Sequence, residues 1–461
     1  MLGTSARRSL ATLTAAFAVI GAAAPAQASH DDSTEPLTLE PEGETPTLFD
    51  DATGGNANAD DPAIWRDPAA PERSLVIATA KEGGLRVYDL DARPVQSIPA
   101  PEPPTPDDAP GRFNNVDIVT DSGLSRGDES PDEDYAVVSD RGRDRLRVYR
   151  IDPDARRGPL VDVTASGVEP IFAADQAEIN EERTAYGLTT WTDERSGRSY
   201  ALVSGSGRTE IALLELTLSP EGTVGYREVR SVRLPSTFRL PDGASWSPCG
   251  DPGELPQVEG MVVDPADGTL YAGQETVGLW RMRADLRGAP RLIDRVRGFG
   301  VPATYDPATD ECVAGEDPGF GGEHLTADVE GLALLGGAHG SGYVIASSQG
   351  DSTFRLYERG DAGHGFPGRG VPSGGFPGPG FPGRAEYEGA FRVVASGSVD
   401  GSEDCDGVAV FDAPLGERYE DGLLVVQDGH DSPGDGDREA TNLKFVDLGE
   451  LTEGLDDRFD D

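Results

Sequence analysis

Carboxylates recur in this chain where a short apolar run is about to begin. Asp60-Asp61 precede Pro62-Ala63-Ile64-Trp65, Glu259-Gly260 precede Met261-Val262, Glu330-Gly331 precede Leu332, and Asp406-Gly407 precede Val408-Ala409. Asn115 and Tyr186 hold the corresponding places before Val116-Asp117-Ile118 and Gly187-Leu188. More acidic groups stand nearby in sequence: Asp328 beside Glu330, Glu403-Asp404 beside Asp406, and the stretch from Asp428 to Asp437. All-oxygen donor sets of this kind suit calcium, which takes about six to eight carboxylate, carbonyl and water oxygens; none of these groups has EF-hand spacing. Singly, each would read as a solvated turn. At equivalent places of a repeat they read together as metal ligands, because carboxylates gathered in one ring repel unless cations sit among them.

Two cations accompany them. Lys81 and Arg141 fall at matching hairpin tips, in a chain with 39 basic residues against 83 acidic ones. Arginine offers a planar fork to a phosphate group and lysine a compact charge. Without the acidic ring beside them, both would read as ordinary surface charges. Other phosphate chemistries find no support. The five histidines, His30, His324, His339, His364 and His430, include no Arg-His-Gly nucleophile motif, and there is neither a His-Cys phosphate loop nor a G-x-S-x-G elbow.

The elements that must position these groups repeat. Apolar runs ending in polar tips begin at Ser74, Tyr135, Tyr200, Leu270, Tyr343 and Leu423, at intervals of about 60 to 80 residues. Each follows a shorter run opened by one of the polar residues above, and alternating strands such as 226–233 and 391–396 lie between units. Short runs parted by glycine-rich turns form antiparallel strands. Four strands per unit in six units predict an all-β, six-bladed β-propeller. Asp61, Asn115, Tyr186, Glu259, Glu330 and Asp406 would then surround one mouth, with the tips carrying Lys81, Arg141, Ser206, Gln274, Gln349 and Gln427 close by.

Arg7-Arg8, the apolar stretch from Leu10 to Ala24, and Ala26-Gln27-Ala28 give the order of a secretory signal peptide, with cleavage expected after Ala28. No other stretch is apolar for long enough to span a bilayer, so a secreted, extracellular protein is expected. Losing the two basic residues of the leader takes the formal net charge from −44 to −46. Such a surface repels nucleic acid and anionic lipid, and neither is expected as a partner; the chain is expected to be a monomer. Residues 29–56 read as a polar N-terminal arm, 57–450 as the propeller domain, and 451–461 as an acidic tail. Insertions at 121–134, 236–256 and 300–323 read as loops. So does 360–384, whose three Gly-Phe-Pro-Gly repeats lack a collagen register. Of three cysteines, Cys249 and Cys312 lie in two of the insertions and could bridge them, leaving Cys405 unpaired.

At these residues the sequence resembles the β-propeller phytases, the calcium-dependent alkaline phytase family of bacteria. The resemblance rests on the ordered series Asp60 to Trp65, Asn114 to Ile118, Tyr186-Gly187, Val258 to Met261, His324-Leu325-Thr326 with Asp328 to Leu332, Ala346 to Gly350, Asp406-Gly407 and Gln427-Asp428-Gly429. It implies an enzyme that takes calcium phytate and other inositol phosphates as substrates and uses several calcium ions, both structural and catalytic. It also implies that Asp61, Glu259, Asp328 and Glu330 ligate calcium at the cleavage site, with Glu44 a further ligand. Lys81, Arg141 and Tyr186 would contact phosphate, and Asp406 and Asp428 would lie nearer structural calcium. Water would attack phosphorus directly. Two places depart from the family pattern: Gly205-Ser206-Gly207-Arg208 stands where a lysine is frequent, so either Arg208 substitutes or the contact is lost, and Gln274-Glu275 stands where two glutamates are common, leaving Glu275 to serve. The alternatives are a calcium-dependent propeller lactonase or esterase, and a calcium-stabilised propeller that only binds a partner.

Overall fold

The computed structural model describes residues 35–459 apart from 53–54, 121–123, 125–132, 310, 337–341, 360–384 and 433–437. The expected leader, the Gly-Phe-Pro-Gly segment and most of the acidic insertion at 121–134 lie outside the described residues.

The repeating runs fold as six antiparallel sheets arranged as the blades of a propeller. Blade one comprises Pro62–Trp65, Leu75–Thr79, Leu85–Tyr88 and Pro94–Ile98, and blade two Phe113–Val119, Tyr135–Asp140, Arg145–Ile151 and Leu160–Asp162. Blade three runs from Ala185–Asp193 through Arg198–Gly205 and Glu210–Leu218 to Val224–Arg233, and blade four from Val258–Asp264 through Thr269–Gln274 and Gly278–Arg283 to Arg291–Arg295. Blade five holds Val329–Gly336, Gly342–Ser348, Thr353–Glu358 and Tyr387–Val393, and blade six Val408–Phe411, Leu423–Asp428 and Ala440–Asp447. The second strand of each blade reads as a continuous apolar run because neighbouring blades cover both of its faces. Leu75–Thr79, Tyr135–Asp140, Thr269–Gln274 and Leu423–Asp428 are buried throughout. The core is accordingly a set of apolar layers between blades, such as Ile77, Val87, Val116 and Val138 between blades one and two. Burial of this kind contributes about 25 cal/mol per Å² of apolar surface and drives the blades together.

The N-terminal arm is part of the propeller. Gly43–Glu44 pairs antiparallel with Phe445 and Lys444 and supplies the outer strand of blade six. Leu37–Leu39 runs parallel to Phe391–Val393 as a fifth strand on blade five. A propeller whose last blade lacks a strand keeps an open edge, and the arm closes it. Nor is the C-terminal end a tail. Leu448–Phe459 is helical, and Leu448, Leu451 and Leu455, spaced to share one face, are buried with Leu39 and Val393. The insertions of blade four are more than loops: each carries a two-strand hairpin, Phe238–Arg239 with Ser245–Trp246 and Ala303–Asp306 with Glu311–Ala314. A Cys249–Cys312 disulfide joins them, and Cys405 is free and buried. No described helix is long and apolar enough to cross a membrane.

Candidate active site

The innermost strands of all six blades line a central channel of about 300 Å³, and the polar openers surround one of its mouths. A local irregularity turns them there. In blades two, three, four and five the first strand breaks register at the opener, between Phe113 and Val116, Ala185 and Leu188, Val258 and Met261, and Val329 and Leu332. A bulge at that place re-aims the side chain out of the alternating pattern. The glycine after each acidic opener has its own reason. A Cβ on Gly260 would lie 1.9 Å from the carbonyl oxygen of Glu330, and one on Gly407 2.5 Å from that of Asp60. Only glycine lets one opener pack against the next closely enough to gather the carboxylates.

Glu259, Glu275 and Glu330 each place a carboxylate oxygen within 4.8 Å of the others. They are 6%, 9% and 5% exposed. Asn114 donates to Glu259 Oε1 at 2.7 Å, and the Tyr186 hydroxyl donates to Oε2. Gln257 donates to both oxygens of Glu275, at 2.9 and 3.1 Å. Glu330 Oε2 is buried without a hydrogen-bond partner. Burial, followed by the neighbouring charges of Glu259 and Glu275, holds Glu330 well above the usual carboxylate range. Burial and the charges of Asp328 and Glu259 do the same to Glu275, and burial with Asp406 and Glu259 lifts Asp328 to about 6. Burial and the same three glutamates push the Tyr186 phenol up, keeping it a hydrogen-bond donor.

The cations border this cluster. Lys81 Nζ lies 3.4 Å from Asp406 Oδ2 and 3.9 Å from Asp60 Oδ1. Burial pulls its pKa down, but these two carboxylates outweigh burial and hold it up. Gln349 donates to Asp406 Oδ1 at 2.5 Å, and Asp61 Oδ2 accepts from the Val116 N–H at 3.0 Å. The Arg141 guanidinium sits 5.3 Å from the centre of the Tyr186 ring and pairs with Glu182 at 3.2 Å.

Several expected residues stand elsewhere. Asp406, which the repeat puts at the mouth and the resemblance puts nearer structural calcium, stands beside Lys81 at the mouth. Glu44, expected at the cleavage site, meets Asp428 at blade six. There Lys444, wholly buried, lies 2.7 Å from Glu44, 3.2 Å from Asp428 and 3.8 Å from Asp431, and also pairs with Asp400. Arg208 donates to the Arg183 carbonyl at 3.2 Å and lies 3.9 Å from Glu178. Gln274 turns away from the mouth, accepting from Trp280 Nε1 and donating to the Pro256 carbonyl. The sequence gives Asp60, 1% exposed beside Lys81, no role apart from its pairing with Asp61, and gives no role to Arg112, buried beside Lys81 and Arg141. Asp60 was visible as the first half of Asp60-Asp61; Arg112 had no signal beyond being basic in an acidic chain.

Six blades around a mouth of buried carboxylates edged by Lys81 and Arg141 define a propeller hydrolase suited to phosphate esters. The sequence comparisons agree: a family model described as Phytase matches residues 5–240, 254–366 and 381–461. The chain is 29% identical over 413 residues to the 3-phytase of Bacillus subtilis (strain 168), a match that covers 89% of this chain and 84% of that one. It belongs to the phytase family, as a β-propeller phytase, and is a phosphoric monoester hydrolase. Among solved structures, a β-propeller domain from Myceliophteria thermophila is similar at 11% identity and a TM-score of 0.34, covering 84% of this chain and 83% of that one. The exo-β-1,3-galactanase of Phanerochaete chrysosporium is similar at 10% identity and a TM-score of 0.35, over 68% and 64%. Overlaps this loose do not bear on the site.

Proposed function

We propose that the chain is a secreted, calcium-dependent enzyme that releases phosphate from myo-inositol hexakisphosphate taken as its calcium salt. The observation that carries the metal is the cluster of Glu259, Glu275 and Glu330, three buried carboxylates within 4.8 Å with Glu330 Oε2 unpartnered. Such a set cannot be fully charged without a cation, and its all-oxygen chemistry fits a hard one. Asp61, Asp328 and Asp406 complete the donor set. Calcium held there would neutralise substrate phosphates that a strongly acidic protein otherwise repels, and would make nearby water a better nucleophile. Water attacks phosphorus without a covalent intermediate: its oxygen forms the new P–O bond as the bond to the inositol oxygen breaks. The chain's own residues organise that step. Asn114 and Tyr186 fix Glu259, Gln257 fixes Glu275, and Lys81 and Gln349 fix Asp406. Lys81 and Arg141 contribute the positive charge for the phosphate, and the Tyr186 ring lies 5.3 Å from the Arg141 guanidinium.

A structural calcium is proposed at Glu44, Asp400 and Asp431, beside Asp428. Lys444 brings one positive charge against these four carboxylates, so three negative charges remain for a divalent ion to offset. The deciding experiment measures phosphate released from phytate with calcium, with EDTA, and in Glu259→Ala. Activity in calcium alone is expected, and activity that survives EDTA or the substitution refutes the mechanism. A panel of lactones run beside it tests the esterase alternative, which has no use for Lys81 and Arg141. Secretion is checked by the N-terminus of protein recovered from the medium, expected to start at Ser29.

A further inference from the structure

Three buried hydroxyls stand behind Glu259. Thr79, Ser139 and Ser204 hold the same place in the second strands of blades one, two and three, one residue past the ladder pairs Pro62–Ala78, Val116–Val138 and Leu188–Val203. Each is 0% exposed. Each accepts a backbone N–H from the inner strand region of its own blade: Thr79 from Asp61 at 3.0 Å, Ser139 from Asn115 at 3.0 Å and Ser204 from Gly187 at 2.9 Å. A hydroxyl has one proton to give. All three give it to a carbonyl of the following blade: Thr79 to Asn114 at 2.6 Å, Ser139 to Tyr186 at 2.6 Å, and Ser204 to Val258. Those carbonyls converge on one side chain. Asn114 and Tyr186 are the donors to Glu259 Oε1 and Oε2, and Val258 is the residue before Glu259. The equivalent places of blades four and five lead elsewhere. Blade four has Gly273, where a Cβ would lie 2.8 Å from the Val329 carbonyl oxygen, and Ser347 of blade five donates to the Cys405 carbonyl at 2.7 Å. A carboxylate that ligates a cation is aimed by the hydrogen bonds behind it, and here the backbones that carry those donors are themselves tied down.

We infer that Thr79, Ser139 and Ser204 are positioning residues for Glu259, which aim its carboxylate through Asn114, Tyr186 and Val258. This rests on the reading of Glu259 as a calcium ligand. The test titrates calcium calorimetrically into Thr79→Val, Ser139→Ala, Ser204→Ala and Glu259→Gln, following the sites that Glu259→Gln weakens, and measures kcat and KM on phytate over a range of calcium. Ser74→Ala is the control. Ser74 is also 0% exposed, just before the strand that ends in Thr79; it accepts from the Asp67 N–H at 3.1 Å and donates to the Pro71 carbonyl at 2.6 Å, so its loss removes the same pair of bonds at the strand's other end. Thr79→Val, Ser139→Ala and Ser204→Ala are expected to bind calcium at these sites about tenfold more weakly, the lower end of what hydrogen bonds behind a metal ligand contribute. Their kcat falls at limiting calcium and returns as calcium is raised, with KM within about twofold. Thr79→Ser and Ser139→Thr, which keep the hydroxyl, recover the calcium binding, and Ser74→Ala binds calcium as the parent enzyme does. Parental calcium binding in the three hydroxyl variants while Glu259→Gln is weakened overturns the inference alone, as does a loss in Ser74→Ala as large as theirs. If Glu259→Gln also binds calcium as the parent enzyme does, the reading of the cluster falls and the inference with it. Should one of the three variants not fold, the other two decide by the same outcomes.

Discussion

Replacing Glu259 by glutamine separates the activity of this enzyme from its stability. Glu259 Oε1 and Oε2 accept from Asn114 and Tyr186, and its carboxylate lies within 4.8 Å of those of Glu275 and Glu330. At an effective dielectric of about 20, two full charges 4.8 Å apart repel by about 3.5 kcal/mol. Glu275 and Glu330 already relieve part of this by holding protons, their pKa values pushed up by burial and by the charge of Glu259. The glutamine also loses about 1 kcal/mol of hydrogen bonding, because one of its two terminal atoms no longer accepts. The net gain for Glu259→Gln in chelator is then about 1–3 kcal/mol. With an unfolding entropy of about 2.1 cal/mol/K per residue, that raises Tm by roughly 1–4 °C for a chain of this size. With calcium present the sign reverses, since a ligand is missing, and phosphate release from phytate falls by about 100-fold or more. Scanning calorimetry of parent and variant in EDTA and in calcium, beside a phosphate-release assay, reads all three effects. A variant that melts lower in EDTA by as much as it does in calcium refutes the reasoning, as does one that keeps its activity.

Lys444→Met removes the ammonium from Glu44, Asp400, Asp428 and Asp431 and is expected to cost about 3–5 kcal/mol, with the arm released first; limited proteolysis before residue 50 measures it. In EDTA, stability should fall as pH rises from about 4 through 6. Burial raises Asp328 from 3.8 to about 6, and Glu330, Glu275 and Asp60 well above their ordinary values, so the folded chain binds more protons than the unfolded one across that window. Calcium should flatten this slope, and urea midpoints at several pH values check it. Replacing both Cys249 and Cys312 by alanine opens a loop of 63 residues, worth about 4 kcal/mol on the chain-entropy view. Phytate turnover below the new melting point should stay within about twofold, because both insertions cap the aromatic side of blade four around Trp246, Phe299 and Trp280.

The six-bladed architecture and the ring of openers were legible because their signals are local. A strand buried on both faces writes an unbroken apolar run, a hairpin tip writes glycine and polar residues, and a crowded inner strand writes a carboxylate followed by glycine, as at Glu259-Gly260 and Glu330-Gly331. None of these depends on what lies far along the chain. Tertiary structure alone decided how the charges are partnered. Glu44 and Lys444 are 400 residues apart and meet because Gly43–Glu44, from the N-terminal arm, completes the last blade. That closure takes Glu44 and Asp428 to a buried lysine. The bulges at the openers aim Glu259 and Glu330 at Glu275, and Gln274 turns to Trp280 because its strand buries both faces. Arg112 comes to lie beside Lys81 and Arg141 only because blades one and two join their backbones there. A local pattern says which residues are polar at a turn; only the packing of one blade on the next brings their charges together.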